Sequence, residues 1–421
     1  MRAATLLLSC GFAALASAAD WPQWRGPHSD GAFDAPKLPA KWPAGGLRTV
    51  WKQPVGGGYA GISVADGRVF TLDYDGQRER VFCLDAASGR PLWSHSYGVT
   101  YGNLGGYANG PRTTPAVRDG KVYTLGAVGH LFCFDAKTGD ILWKHDCVAE
   151  FVAKVPEWGF AASPVLDGDR LIVHIAAANN GCVMAFDRTS GKEVWRSLSD
   201  PGGYCTPVII EPPSGKQVVL WTPRFIHGLD PASGKPLWKV PYEVTYGVSI
   251  APPIYRDGIV FVTGYWEGSK AIRLGPKATD AEVIWTDGKQ LRGLMAQPLY
   301  RNGHVFTMDR DFGLTCFELK TGKKLWDDDN QLTPRGRNPH ASIVWINDGD
   351  RALALNAAGE LVLCRLNPKG YEEGSRVKVL DGRVWGHPAF AGRFLYAKTD
   401  GGEAWQKSGP HELRCIELVK E

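Results

Sequence analysis

Aromatic and basic side chains recur beside glycine about every 45 residues along this 421-residue chain. The positions are Gly58-Tyr59, Gly106-Tyr107-Ala108-Asn109, Trp158-Gly159, Gly203-Tyr204, Tyr246-Gly247, Leu291-Arg292-Gly293, Arg335-Gly336-Arg337-Asn338-Pro339-His340 and Trp385-Gly386-His387. If these positions converge, Tyr59, Trp158, Tyr204, Tyr246 and Trp385 offer ring faces. Asn109, Arg292, Arg337, His340 and His387 offer hydrogen-bond donors beside them. Such a mixture suits a planar, anionic or carbohydrate-like ligand, or a peptide. A plainer reading stays open, in which glycine permits a tight crossing and the aromatic covers a core. No other pattern points to chemistry. The chain has no Gly-x-Ser-x-Gly, no His-Glu-x-x-His and no phosphate-binding glycine loop. Its histidines are scattered, and Asp327-Asp328-Asp329-Asn330 lacks the spaced ligands of a calcium loop. That acidic run reads as a solvated crossing. No metal is expected.

The elements that would gather these residues are repeats. One motif recurs as VFCLDAASGRPLW ending at Trp93, LFCFDAKTGDILW at Trp143, VMAFDRTSGKEVW at Trp195, IHGLDPASGKPLW at Trp238 and LTCFELKTGKKLW at Trp326. A degenerate copy ends at Trp285. Each copy holds an apolar strand, an acidic residue that can accept turn amides, a glycine that supplies positive φ, and a short strand ending on Trp. This is a β-hairpin. A second strand pair, marked by Pro at its start, precedes each hairpin (Thr113-Thr114-Pro115-Ala116-Val117, for example). Proline there is compatible with an edge strand. Each unit is therefore four antiparallel strands. Ala341 to about Leu380 and His387 to Glu421 make two weaker units, the last of which lacks its fourth strand. Residues 47–55, with Trp51, can supply it. Eight units of roughly 45 residues predict an all-β, eight-bladed propeller, closed by an N-terminal strand that removes the open edge.

The run of small residue, apolar residue, Asp, Ser/Thr-Gly and Trp resembles the tryptophan-docking repeat of exported quinoprotein-type propellers. That group includes pyrroloquinoline-quinone alcohol dehydrogenases and the propeller lipoprotein of the outer-membrane barrel assembly machinery. The resemblance covers about Leu47 to Leu418. It implies that Trp51, Trp93, Trp143, Trp195, Trp238, Trp285 and Trp326 pack each blade on its neighbour. The quinoprotein enzymes carry adjacent cysteines at their cofactor, and this chain has no Cys-Cys pair. No catalytic residue can be carried over. The expected function is thus a non-catalytic binding or scaffold protein with no cofactor, acting on an envelope protein partner or a small ligand. The alternative is a dehydrogenase for alcohols or sugars, using pyrroloquinoline quinone with calcium.

Composition narrows the setting. Forty-eight Lys plus Arg against 44 Asp plus Glu leave a net charge of +4, which gives no support to nucleic-acid binding. Residues 1–19 read as a signal peptide, with a basic start, a short apolar run and small residues at its end. The protein is therefore expected to be exported, periplasmic or extracellular, monomeric and without a membrane span. Residues 20–46, with Trp21-Pro22-Gln23-Trp24-Arg25-Gly26, are expected to form an arm packed over a face or the rim. Cys83, Cys133 and Cys316 each stand ten residues before a motif Trp and read as small buried fillers, as do Cys364 and Cys415 in the weaker units. A bridge among Cys147, Cys182 and Cys205 is left open.

Overall fold

Each acidic-Ser/Thr-Gly run folds as a local hydrogen-bonded turn. Asp85 accepts from the Ser88 amide at 2.8 Å and the Ser88 hydroxyl at 2.6 Å, and Gly89 follows at φ +71°. Asp187 with Ser190 and Asp230 with Ser233 repeat the arrangement at 2.7 Å. These bonds hold the Asp85 and Asp187 carboxyls below the usual carboxylate range. Five such turns appear in a computed structural model that describes residues 20–102, 104–347, 349–400 and 411–420. The proposed signal peptide lies outside the described residues.

The strands form eight sheets arranged as the blades of a β-propeller. Seven blades are continuous in sequence, over residues 63–98, 116–146, 165–197, 208–241, 254–287, 299–327 and 341–378. The eighth combines Ala389–Ala391, Phe394–Lys398 and Glu412–Glu417 with Arg48–Pro54, which pairs antiparallel with Glu412–Glu417. Middle strands lie between two neighbouring blades and are buried on both faces. Gln217–Trp221 has no exposed residue, and the same holds for Ile259–Gly264. This explains why the middle strands read as near-continuous apolar runs, while outer strands such as Pro91–Gly98 stay largely exposed.

A β-bulge sits between the third and fourth strands of every blade, and in seven of the eight it adjoins a motif Trp. The bulge re-aims the indole toward the next blade. Trp51 donates Nε1–H to the Ala86 carbonyl at 2.9 Å, Trp93 to Ala136 at 3.1 Å, Trp143 to Arg188 at 3.1 Å and Trp195 to Pro231 at 3.0 Å. Trp285 and Trp326 do likewise, to Leu319 and Asn367. The indole lies on the turn glycine of the acceptor blade: a Cβ on Gly89 would come within 2.5 Å of Trp51, and one on Gly191 within 2.7 Å of Trp143.

Trp238 departs from this rule. The turn it faces is the degenerate one, and its Nε1–H goes instead to Gln217 Oε1 at 2.7 Å. Gln217 Nε2 then donates to the Ala278 carbonyl of the next blade at 3.3 Å, so a glutamine spans the gap.

All eight cysteines after residue 20 are unpaired and buried, Cys147, Cys182 and Cys205 among them. The motif cysteines are cross-strand partners of the docking indoles: Cys83 faces Trp93, Cys133 faces Trp143, Cys316 faces Trp326 and Cys415 faces Trp51. Gly228 holds the same place under Trp238, where a Cβ would fall 2.1 Å from Nε1. The position demands a small side chain because the indole lies across it. The acidic run differs from expectation at one residue. Asp328 is buried and accepts from the amides of Leu314, Asn330 and Leu332 at 2.7–3.0 Å, so it caps the crossing. Among the described residues no set of three or more His, Cys, Asp or Glu is placed to hold a metal.

The arm does not rest on an outer face or the rim alone. Trp21 bridges to Val64 of the first inner strand, and the Pro22 carbonyl accepts from Val117 of the second blade at 2.8 Å. Asp30 reaches Arg256 of the fifth blade at 3.7 Å, and Ala32–Phe33 pairs parallel with Ala341–Ile346 on the inner edge of the seventh. The arm therefore occupies the axial channel. It leaves over the seventh blade, where Arg351 donates to the Pro39 carbonyl and Trp42 donates to the Leu361 carbonyl at 3.2 Å. Trp42 shares one hydrophobic cluster with Leu361 and Leu363 of the seventh blade and Leu395 and Leu413 of the eighth. It thus packs where the seventh blade has no docking Trp of its own.

The docking geometry separates two glycines of similar backbone. Gly168 at φ +57° has open space where a Cβ would go, whereas Gly191 at φ +72° abuts Trp143. Gly168→Ala should cost only the left-handed strain, about 1–2 kcal/mol. Gly191→Ala should cost clearly more, by about 1–3 kcal/mol for the displaced indole. Urea unfolding midpoints of the two variants check this.

Candidate functional site

The crossings between blades meet around the ring axis at the end opposite the arm's entry. There they enclose a funnel-shaped cavity of about 280 Å³. Tyr59, Trp158, Tyr204, Tyr246, Arg337, His340, Trp385 and His387 line it. Two of the sequence candidates stand elsewhere. Asn109 is exposed and outside the lining, while its neighbour Tyr107 turns in. Arg292 is drawn off by an ion pair with Asp311, its backbone amide donating to Asp309 at 2.7 Å. Leu294 and Met295 of the same crossing line the cavity in its place.

The walls are a chain of rings. Tyr59 lies 5.6 Å from Trp385, Trp385 6.0 Å from Tyr107, Tyr107 6.5 Å from Trp158, and Trp158 5.4 Å from Tyr204. Two of the hydroxyls are tied down, while the buried Trp158 Nε1 has no partner in the protein. The Tyr59 hydroxyl accepts from the Ala108 amide and from Arg383, and the Tyr107 hydroxyl accepts from Asn338 Nδ2 at 3.0 Å. Arg383 lies 3.9 Å over Trp385 and is paired with Asp400 at 3.0 Å, so this cation is neutralised behind the ring. The opposite lip carries Tyr246, 71% exposed, and Trp266, 43% exposed, 6.1 Å apart. Tyr246 holds a left-handed backbone at φ +57°. Trp266 is braced by Tyr265 at 4.8 Å and by the Arg310 guanidinium at 4.7 Å.

Arg112 also lines the wall. Its guanidinium donates to the carbonyls of Gly110 and Ala108 and lies 5.1 Å over Tyr59. The carboxylate near it, Glu79, is engaged by the hydroxyls of Tyr97 and Tyr101 and by the Ala127 amide at 3.0 Å. Burial pushes the Arg112 guanidinium below its ordinary range. No Asp or Glu lines the cavity among the described residues.

The floor is built by the arm and two histidines. Trp24 enters the cavity and meets the His387 ring edge-on at 5.6 Å. His387 Nδ1 lies 3.3 Å from the Ser342 hydroxyl, and His340 crosses it edge-on at 6.0 Å. His340 is 2% exposed, and neither of its ring nitrogens has a partner in the protein. Beneath them lies Arg25, also buried, donating to the Ile343 carbonyl at 3.1 Å, with its Nε unpaired. Burial, with the Arg25 charge behind it, lowers His340 to about 4. Burial, then His340 and Arg25, drive His387 well below its ordinary value. Both rings are therefore neutral at pH 7.

The arm's spelling follows from this floor. Gly26, at φ +87°, leaves room for the Trp21 ring, which a Cβ would approach to 2.9 Å. Gly31 does the same for the Arg25 guanidinium, at 1.9 Å. Trp24 was readable only as a tryptophan that the repeat leaves unexplained, and nothing in the sequence marked Arg25. Arg112, Tyr265 and Trp266 had no signal that marked them as lining.

Residues 77–224 and 224–377 match the family model described as outer membrane protein assembly factor BamB. The chain belongs to that family. No curated protein matches it in sequence. Among solved structures it is similar to the quinohemoprotein alcohol dehydrogenase of Comamonas testosteroni, with a TM-score of 0.69 at 15% identity over 95% of this chain and 80% of that one. It is similar to a europium-containing methanol dehydrogenase, with a TM-score of 0.69 at 13% identity over 95% and 98%. It is also similar to BamB of Moraxella catarrhalis, with a TM-score of 0.58 at 18% identity over 88% and 97%. At such identities the likeness establishes the fold and leaves the chemistry to the residues of this chain.

The neutral floor gives a pH test. A histidine whose native value lies below its unfolded value near 6.5 takes up a proton on unfolding, so stability falls as pH drops from about 6.5 toward about 4. His340→Gln should flatten that fall by up to about 1.4 kcal/mol per pH unit. Urea unfolding at pH 7.0, 5.5 and 4.5 checks the slope.

Proposed function

We propose that this family member is an exported, non-catalytic binding module that holds a small ligand with a flat apolar face in its axial funnel. The observation that carries this reading is the unbroken chain of rings from Tyr59 through Trp385, Tyr107 and Trp158 to Tyr204, of which the Tyr59 and Tyr107 hydroxyls are already held by the protein. Preset ring faces bind flat molecules at little ordering cost. A volume of about 280 Å³ lies just below the roughly 300 Å³ from which ligand sites commonly run, so the ligand is small. The reading places the protein in the envelope, in keeping with the family's description as an outer-membrane assembly factor. A scaffold role would use the outer blade surfaces.

The quinoprotein alternative is disfavoured by the donor set. A calcium ion takes six to eight oxygen ligands, with carboxylates prominent among them. The described lining offers no carboxylate and includes the cations Arg112 and Arg337, with Arg25 buried beneath the floor. For the same reason the described lining presents no carboxylate base for removing a proton from an alcohol. Of the lining's other bases, His340 and His387 are held neutral above a buried cation.

Indole serves as a minimal flat probe. Titration calorimetry and saturation-transfer NMR should show it binding to the wild-type protein, with Trp158→Ala weakening it by about tenfold or more. Unchanged binding in Trp158→Ala, or none in wild type, would overturn the funnel as the site. Pyrroloquinoline quinone with calcium should give no dye reduction, and turnover with any alcohol or sugar would sink the non-catalytic reading.

A further inference from the structure

We infer that residues 23–30 of the arm form a flap under the funnel that acid opens, with His340 as the trigger and His387 beside it. The opening stands apart from the ligand reading; only its consequence for a bound molecule rests on the funnel being a ligand site. The first observation is how the arm is attached. Trp21 exchanges backbone bonds with Val64 at 2.8 Å, the Pro22 carbonyl accepts from Val117, and the Gly31 and Phe33 carbonyls accept from Trp345 and Asn347. Between those anchors the backbone bonds stay within the loop: Gly26 donates to Gln23, Ser29 to Gly26, and Gly31 to Arg25. The loop meets the ring through side chains, chiefly Trp24 on His387, Arg25 on the Ile343 carbonyl and Asp30 on Arg256. It is a flap with two fixed ends.

The second observation is that the closed flap holds costs which opening relieves. Arg25 and Ser29 keep left-handed backbones at φ +62° and +54°, where a side chain is disfavoured. Arg25 is also 3% exposed, with its Nε unpaired. A freed loop can relax its backbone and return the guanidinium to water.

The third observation is the trigger. His340 is 2% exposed and leaves both ring nitrogens without a protein partner, so nothing in the closed state shares a proton with it. The charges around the two rings oppose protonation. Arg25 of the arm acts on both rings, and the rings act on each other. Asp30 offsets Arg25 in part and is shared with Arg256 of the fifth blade at 3.7 Å. Arg337 stands in the cavity lining, and Arg383 of the eighth crossing is paired with Asp400. Among the described residues no carboxylate is bonded to either ring. A proton is therefore taken up with the flap open, where water reaches His340 and Arg25 has moved off. A ring held near 4 when closed and near 6.5 when open raises the opening constant by up to about tenfold for each pH unit lost between those values. His387 adds to that gain. Opening takes Trp24 out of the funnel and joins the cavity to the channel below, so a molecule held at neutral pH is let go in acid.

Hydroxyl-radical footprinting of the full chain at pH 7.0, 5.5 and 4.5, read by mass spectrometry with no ligand present, tests this. Trp24 is 7% exposed in the closed state. Its oxidation should rise about tenfold or more by pH 4.5, while the docking residues Trp51 and Trp143 stay protected. His340→Gln combined with His387→Gln should keep Trp24 protected at pH 4.5. If that pair loses the native melting temperature at pH 7.0, the wild-type contrast between Trp24 and the docking residues decides alone. The inference is overturned by a Trp24 protected at every pH, by one exposed only in step with Trp51 and Trp143, or by a rise that persists in the double variant. Each of those results leaves the funnel reading standing, since that reading is tested by indole at neutral pH.

Discussion

An indole can lie flat on a neighbouring hairpin only where that hairpin has no side chain in the way. This one steric condition underlies the ring. It requires glycine at the turn, a small residue opposite the Trp, and a bulge that aims the ring outward. The Nε1–H bond to the neighbouring carbonyl then fixes the spacing between blades. Because each blade is positioned by the one before it, the eight crossings arrive at the axis in register. The funnel is the sum of those placements. No single blade could make it, and a displaced joint would open the chain of rings.

The joints that depart from the rule show that the condition is real. Where the fifth blade has a degenerate turn, Trp238 donates to Gln217 and Gln217 relays the bond to Ala278. Where the seventh blade has no docking Trp, the arm lays Trp42 into the cluster shared with the eighth. In both places a residue remote in the repeat takes over the contact. The arm has a second consequence at the axis, where it converts an open channel into a cavity with a charged floor.

Much of this was legible because the repeat repeats. Asp, Ser/Thr-Gly and Trp at fixed spacing specify a hairpin and its docking face, and five clear copies allow the weaker ones to be counted. The crossings were legible as places but less so as directions. Asn109 and Arg292 occupy the right segments, yet Tyr107 turns inward where Asn109 does not, and Asp311 captures Arg292. Such diversions depend on partners tens of residues away. Arg112 follows its crossing by three residues, and Tyr265 with Trp266 come from a hairpin tip, so no spacing rule points to them. Trp24 was marked only by being a tryptophan with no duty in the repeat, and Arg25 beside it was not marked at all. The cysteines were read correctly as small and buried, but their reason, lying beneath an indole, needs the cross-strand register.

The arm and the closing strand tie the cavity to the order in which the chain is made. Arg48 and Glu417, joined at 2.8 Å, are 369 residues apart in sequence. Trp24 comes early, His340 and His387 come late, and the floor needs all three. A chain delivered from its N-terminus therefore carries the arm as a loose end through most of folding. The floor forms only when the last blade closes around it, a contact of very long loop length and correspondingly slow to make. Occupancy of the cavity is in this sense a readout of a finished ring: a partly assembled propeller has walls and no floor. A ligand that binds only the closed form would also hold the two chain ends together and slow their release.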